Sequence, residues 1–97
     1  MILGLLKEYG SETRVALLPE TVKILTDMKV EVWIEKSAGI QAFASDTAYE
    51  EAGAKIVSHS DLIDKANVLL QIQVPAEEDL NKLNDDQVWI SAFNPLW

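Results

Sequence analysis

Lys7, Glu8, Glu12 and Arg14 stand close together in the stretch KEYGSETRVALLP, residues 7–19, directly after the apolar run at 2–6. A short buried strand that empties into such a loop places two cations and two acids at the carboxyl end of a sheet. That is where α/β proteins put their chemistry. Two readings of Arg14 are open: a planar, bidentate cation offered to a ligand, or a tie to Glu8 or Glu12 that fixes the loop. Lys7 is either a cleft cation or a solvated one.

Other candidates are weaker. His59 is the sole histidine and sits in a Ser-His-Ser turn, which predicts an exposed neighbour of a helix cap. The acidic pairs Glu77-Glu78 and Asp85-Asp86 have no partner ligands nearby in sequence, so no metal site is expected. Neither a G-x-G-x-x-G nor a Walker pattern occurs, so the chain encodes no phosphate-cradling loop of its own.

The elements that must position these residues follow from pattern. Residues 2–6 and 68–72 read as short, predominantly apolar runs, as strands covered on both faces do. Pro19 suits the first turn of a helix whose Val22, Leu25 and Met28 share a face. Residues 30–34 alternate apolar with Glu31, Trp33 and Glu35, which predicts a half-exposed strand at a sheet edge. Ser45-Asp46-Thr47 caps a short helix that ends at Gly53, and Ser58 with Asp61 caps another after a brief strand at 55–57. Pro75 opens a fourth helix with Glu77, Glu78 and Asp79 in its first turn, and residues 88–93 make a fifth strand. Trp33 and Trp89 fall on strands, as core or interface aromatics.

This βαβαβαβαβ alternation predicts a three-layer αβα domain with a five-stranded, mainly parallel sheet. The expected order is flavodoxin-like (Rossmann-like), 2-1-3-4-5, with the 30–34 strand outermost and the Lys7–Arg14 loop lining a crevice beside the first strand. The 97 residues suffice for one domain. Its end at Asn94-Pro95-Leu96-Trp97, with no closing helix, predicts a domain truncated at its C-terminus. Net charge −8 argues against nucleic acid or anionic lipid as partners. No apolar run approaches the roughly 18 residues of a membrane span, so no direct insertion is expected. Cysteine is absent, which excludes thiol chemistry and fits a reducing compartment.

The sequence as a whole resembles the alanine dehydrogenase/pyridine nucleotide transhydrogenase N-terminal domain family. The likeness rests on Lys7-Glu8, Glu12-x-Arg14-Val15-Ala16 with Pro19, Ser37-Ala38-Gly39, Asp46…Tyr49…Ala52-Gly53-Ala54, and Ala66-Asn67-Val68-Leu69-Leu70-Gln71-Ile72-Gln73-Val74-Pro75. It covers essentially all 97 residues and stops before the family's second domain, the NAD-binding Rossmann unit. By this resemblance Arg14 matches the arginine that grips a substrate carboxylate in alanine dehydrogenases, Glu8 holds it, and Gln73 lies at the cleft. The residues themselves read Gln73 equally well as a strand-end amide that hydrogen-bonds backbone.

Alanine dehydrogenases carry a lysine at the position of Gln73 and a histidine after the fifth strand, where this chain has Phe93, Asn94 and Pro95. The resemblance therefore implies the transhydrogenase branch, in the N-terminal lobe of the alpha subunit of a proton-translocating NAD(P)+ transhydrogenase. There hydride passes directly from NADH to NADP+ and needs no side-chain acid. It further implies NAD(H) and NADP(H) in the intact enzyme, with none held by this segment alone. The implied partners are an NAD-binding, an NADP-binding and a membrane domain, in a homodimer at the cytoplasmic face of the membrane. The alternatives are an alanine dehydrogenase or saccharopine dehydrogenase-like domain, and a free-standing, non-catalytic flavodoxin-like module that binds a protein.

Overall fold

The computed structural model describes residues 1–9, 15–73 and 77–91. Strands β1 (Ile2–Leu5), β2 (Glu31–Glu35), β3 (Lys55–Val57), β4 (Val68–Gln71) and β5 (Val88–Ser91) alternate with helices α1 (Pro19–Asp27), α2 (Asp46–Glu51), α3 (His59–Lys65) and α4 (Glu77–Leu80). Every strand pair is parallel. Parallel pairing needs a crossover between consecutive strands, and the helices supply it.

Local chemistry sets the helix ends. Pro19 lies in the first turn of α1. Ser45 Oγ accepts from Ala48 N–H at 3.1 Å, and Ser58 Oγ accepts from Asp61 N–H at 3.2 Å. Gly53 terminates α2 at φ +99°, a left-handed conformation that side chains other than glycine disfavour. The Pro75 start expected for the fourth helix, and residues 92–93 of the fifth strand, lie outside the described residues.

Two apolar layers sandwich the sheet. On one face Val22 of α1, Tyr49 of α2 and Ala52 just after it pack with Leu5, Val32 and Ile34. On the other, Leu62 and Ile63 of α3, with Ala66 just after it, pack with Leu6, Trp33 and Leu69, and Trp89 joins them. The α/β class, the three layers and the parallel sheet are as the sequence implies.

The place of one strand differs. The order is β3-β2-β1-β4-β5, not 2-1-3-4-5. β3 extends the sheet beyond β2 instead of lying on the far side of β1, because α2 packs on the same face as α1 and carries the chain outward again. Consequently β2 is an inner strand, not an edge. Val32, Trp33 and Ile34 are all buried, where alternation had predicted a half-exposed face. Trp33 turns into the α3 layer, and its indole N–H donates to Glu31 Oε2 at 2.6 Å.

Tyr49 is fully buried, and its hydroxyl donates to the carbonyl of Leu17 at 2.6 Å, fastening the chain before α1 to α2. Burial, with the charges of Glu20 and Asp46, pushes its pKa up to about 12, so the donor stays protonated across the physiological range.

Candidate functional site

From β1 the chain steps outward through β2 to β3, then returns across β1 to β4 and leaves in the opposite direction. The reversal falls between β1 and β4. In a doubly wound sheet a crevice opens at such a point, above the carboxyl ends of the strands. The loop that the sequence singles out leaves β1 at this place.

Glu8 sits across the junction. Its Oε2 accepts from Ile72 N–H at 2.8 Å and its Oε1 from Gln73 N–H at 2.8 Å, and the residue is only 7% exposed. A carboxylate that takes a backbone donor on each oxygen is a strong arrangement, since charge-assisted bonds exceed neutral ones. Gln73 answers from the other side. Its Oε1 accepts from Tyr9 N–H at 2.6 Å, and its Nε2 donates to the Tyr9 carbonyl at 3.0 Å. The Ser91 hydroxyl lies 3.0 Å from the carbonyl oxygens of both Ile72 and Gln73. Side chains from the β1 loop and from β5 thus satisfy the amides and carbonyls where β4 ends.

A second cluster flanks this junction. Glu35, at the end of β2, accepts from Lys7 N–H at 3.0 Å through Oε1. The same oxygen lies 2.9 Å from His59 Nδ1, and His59 Nε2 lies 3.0 Å from Asp79 Oδ1 at the start of α4. With a carboxylate at each nitrogen, the doubly protonated form of the ring is the favoured one. Burial by itself lowers the His59 pKa. Hydrogen bonds to Asp79 and Glu35, with their charges, outweigh it and raise the value above the ordinary 6.5.

That sign fixes a pH dependence. A raised histidine pKa contributes stability that is fully present below the unfolded value of about 6.5 and is lost as pH rises through the folded value. Melting temperature is therefore expected to fall as pH climbs from below 6.5 toward alkaline values, and His59→Gln should flatten the slope. Parallel melting curves for both proteins across the range check it; an unchanged slope in the variant contradicts the bridge.

Between the two clusters lies an open cleft of about 700 Å³, whose walls include Lys7, Glu35, His59, Gln71, Asp79 and Lys82. Glu8 and Tyr9 also line it. Two of the residues picked from sequence, Lys7 and Glu8, are accordingly at the cleft. Gln73 stands beside it with its amide committed to Tyr9, which is the backbone-bonding alternative. Arg14 and Glu12 lie outside the described residues, as do Phe93, Asn94 and Pro95. Lys7 contributes its amide to Glu35, while its side chain is exposed at the rim.

His59 corrects an expectation. It is no exposed cap neighbour but a half-buried bridge, because α3 and α4 both begin at this edge of the sheet and bring Ser58-His59 and Asp79 together. Gln71 was missed altogether. Its signal was available: a polar residue inside an apolar strand that both faces bury. Among the described residues no group of three or more His, Cys, Asp or Glu is arranged to hold a metal ion. No helix among them is long and apolar enough to cross a membrane.

Residues 4–96 match the family described as alanine dehydrogenase/PNT, N-terminal domain. The chain belongs to that family. Alanine dehydrogenase 1 of Staphylococcus aureus is 36% identical over 89 residues, which are 91% of this chain and 24% of that protein. The crystal structure of a transhydrogenase from Sinorhizobium meliloti superimposes with a TM-score of 0.88 at 30% identity, over 98% of this chain and 29% of its own. An L-alanine dehydrogenase structure does so with a TM-score of 0.83 at 32% identity, over 92% and 25%. The chain spans about a quarter of the length of the relatives it matches. These relatives are oxidoreductases, and both branches of the family are represented among them.

Proposed function

We propose that this chain is the N-terminal lobe of the alpha subunit of a proton-translocating NAD(P)+ transhydrogenase. The intact protein would pass hydride from NADH to NADP+ held by another domain. The observation that carries this reading is the end of β4. Where the alanine dehydrogenase pattern has a lysine, Gln73 presents a neutral amide whose oxygen and nitrogen are both engaged by Tyr9. It offers no proton to a substrate oxygen. His59 does not replace the missing acid, since each of its ring nitrogens is engaged by a carboxylate. A reaction between two nicotinamides needs neither group.

The cleft has room for a ring-sized ligand at its mouth, while the chain has no glycine-rich turn to cradle a pyrophosphate. The dinucleotide fold therefore belongs to a neighbouring NAD-binding domain, with this lobe as the facing wall. Lys7 and Arg14 are its cations toward the ligand, and Glu8 orients the loop that carries them. An NADP-binding domain, a membrane domain, a homodimer and a position at the cytoplasmic face complete the reading. Alanine dehydrogenase is the second reading, favoured by the 36% identity of the curated relatives.

The full-length gene product, assayed in membranes, is expected to reduce NADP+ with NADH and to leave pyruvate and ammonia untouched. Gln73→Lys in that protein should not create pyruvate amination, because the histidine after the fifth strand is still lacking. Ammonia- and pyruvate-dependent oxidation of NADH by the unaltered protein would establish the second reading instead.

A further inference from the structure

Gln71 is the last residue of β4 and is 5% exposed. Its register neighbour on β5 is Ser91, and it shares the α3-side face with Leu69, two residues before it. It lines the cleft, yet among the described residues its Oε1 has no hydrogen-bond partner. The less exposed polar side chains around it are engaged: Glu8 by two backbone amides, Gln73 by Tyr9, Glu35 by Lys7 and His59, Asp79 by His59. Buried polar groups are nearly always paired, so a lone exception on a cleft wall marks a group kept for something else. Trp89 Nε1 is a second unpartnered atom, but Trp89 packs in the apolar layer and does not line the cleft.

We propose that the Gln71 side-chain amide recognises a primary carboxamide on the ligand, pairing with it through two reciprocal hydrogen bonds. The chemistry of the walls selects this group. Glu8, Glu35, Glu78 and Asp79 outnumber Lys7 and Lys82 on these walls, with His59 among them, so the described charges do not favour an additional carboxylate. A neutral amide carries one acceptor and two donors, and only a group with both can occupy both ends of its partner. Gln73 displays the same pairing two residues along, where one amide spans an N–H and a carbonyl of Tyr9. The Gln71 oxygen is covered in this structure. The final torsion of a glutamine is broad and roughly two-fold, and no hydrogen bond among the described residues holds the oxygen where it is.

This inference rests on the cleft facing nicotinamide, whose ring bears such a carboxamide. Titrations of the 97-residue chain followed by amide NMR test it, with nicotinamide, nicotinic acid and N,N-diethylnicotinamide as probes. Nicotinamide at tens of millimolar is expected to shift the Gln71 side-chain amide and the Leu6 and Ile72 backbone amides saturably. The acid and the diethyl compound, each lacking a carboxamide N–H, should bind roughly five- to tenfold more weakly. Gln71→Leu should erase the preference without lowering the melting temperature, since an unpaired polar group is being replaced by an apolar one. Equal binding of the three probes, no saturable shift with nicotinamide, or a preference that survives in Gln71→Leu overturns the assignment. Should that variant unfold, the comparison of the three probes on the unaltered chain still decides. Loss of this inference alone is recognised when the titration fails while the full-length product still reduces NADP+ with NADH. Failure of that assay removes the function proposed above instead.

Discussion

Glu8→Leu is expected to destabilise the domain by about 3–5 kcal/mol, a large share of the roughly 5–15 kcal/mol that holds a small domain together. The carboxylate serves two backbone donors at once, and both Ile72 N–H and Gln73 N–H lose their acceptor when it goes. Nothing apolar of similar size restores either bond. Glu8→Gln should be nearly as harmful, because the amide keeps one acceptor and turns a donor toward the other N–H. Glu8→Asp is too short to span both. Urea denaturation of the three variants measures the effect as a drop in midpoint at unchanged slope. A loss below about 1 kcal/mol for Glu8→Leu would show that the junction tolerates unpaired amides and that Glu8 belongs to the ligand alone.

Gly39→Ala should cost about 2–4 kcal/mol, for reasons of space and not of backbone torsion. A Cβ at this position would stand 2.6 Å from the Ala44 carbonyl oxygen, 2.7 Å from Tyr49 Cε2 and 2.8 Å from Ala44 Cβ. The first is backbone and the second belongs to a fully buried ring, so neither can simply step aside. This loop also delivers α2: Ala44 N–H donates to the Gly39 carbonyl at 2.9 Å, and Ser37 N–H donates to Asp46 at 2.9 Å. Pushing Tyr49 outward would strain its bond to Leu17 as well. A thermal melt within a degree or two of the parent would contradict the packing.

Much of the architecture was legible because it is written locally. Short apolar runs, Pro19, the Ser45 and Ser58 caps and Gly53 each announce an element or its end within a few residues. What was not legible depends on which face an element finally meets. Trp33 reads as the outward member of an alternating strand only while β2 is taken for an edge; a helix on each side makes every position of its centre buried. The order of the strands has the same origin, since no residue in β3 states whether α2 will carry it beyond β2 or back across β1. At the site, the loop after the first strand was found from its charges. The pairing of Glu8 with residues 64 and 65 positions away could not be, and neither could the bridge from His59 to Asp79, 20 positions on. Gln71 was visible as a polar interruption, but its lack of a partner is a fact of three dimensions.

The distance between Glu8 and its partners bears on how the chain reaches this structure. As the polypeptide emerges from the ribosome, β1, β2 and β3 with the first two helices can assemble before β4 exists. During that interval one edge of β1 is bare and apolar, and the Glu8 carboxylate lacks the Ile72 and Gln73 donors. Contacts so remote in sequence close late, and an uncovered parallel edge invites association with other chains meanwhile. A hydrated carboxylate at the mouth of that edge opposes its premature burial, since a charge resists desolvation until donors arrive. The arrival of Ile72 and Gln73 supplies them. The residue that finally closes the junction is thus also one whose charge disfavours burying it early.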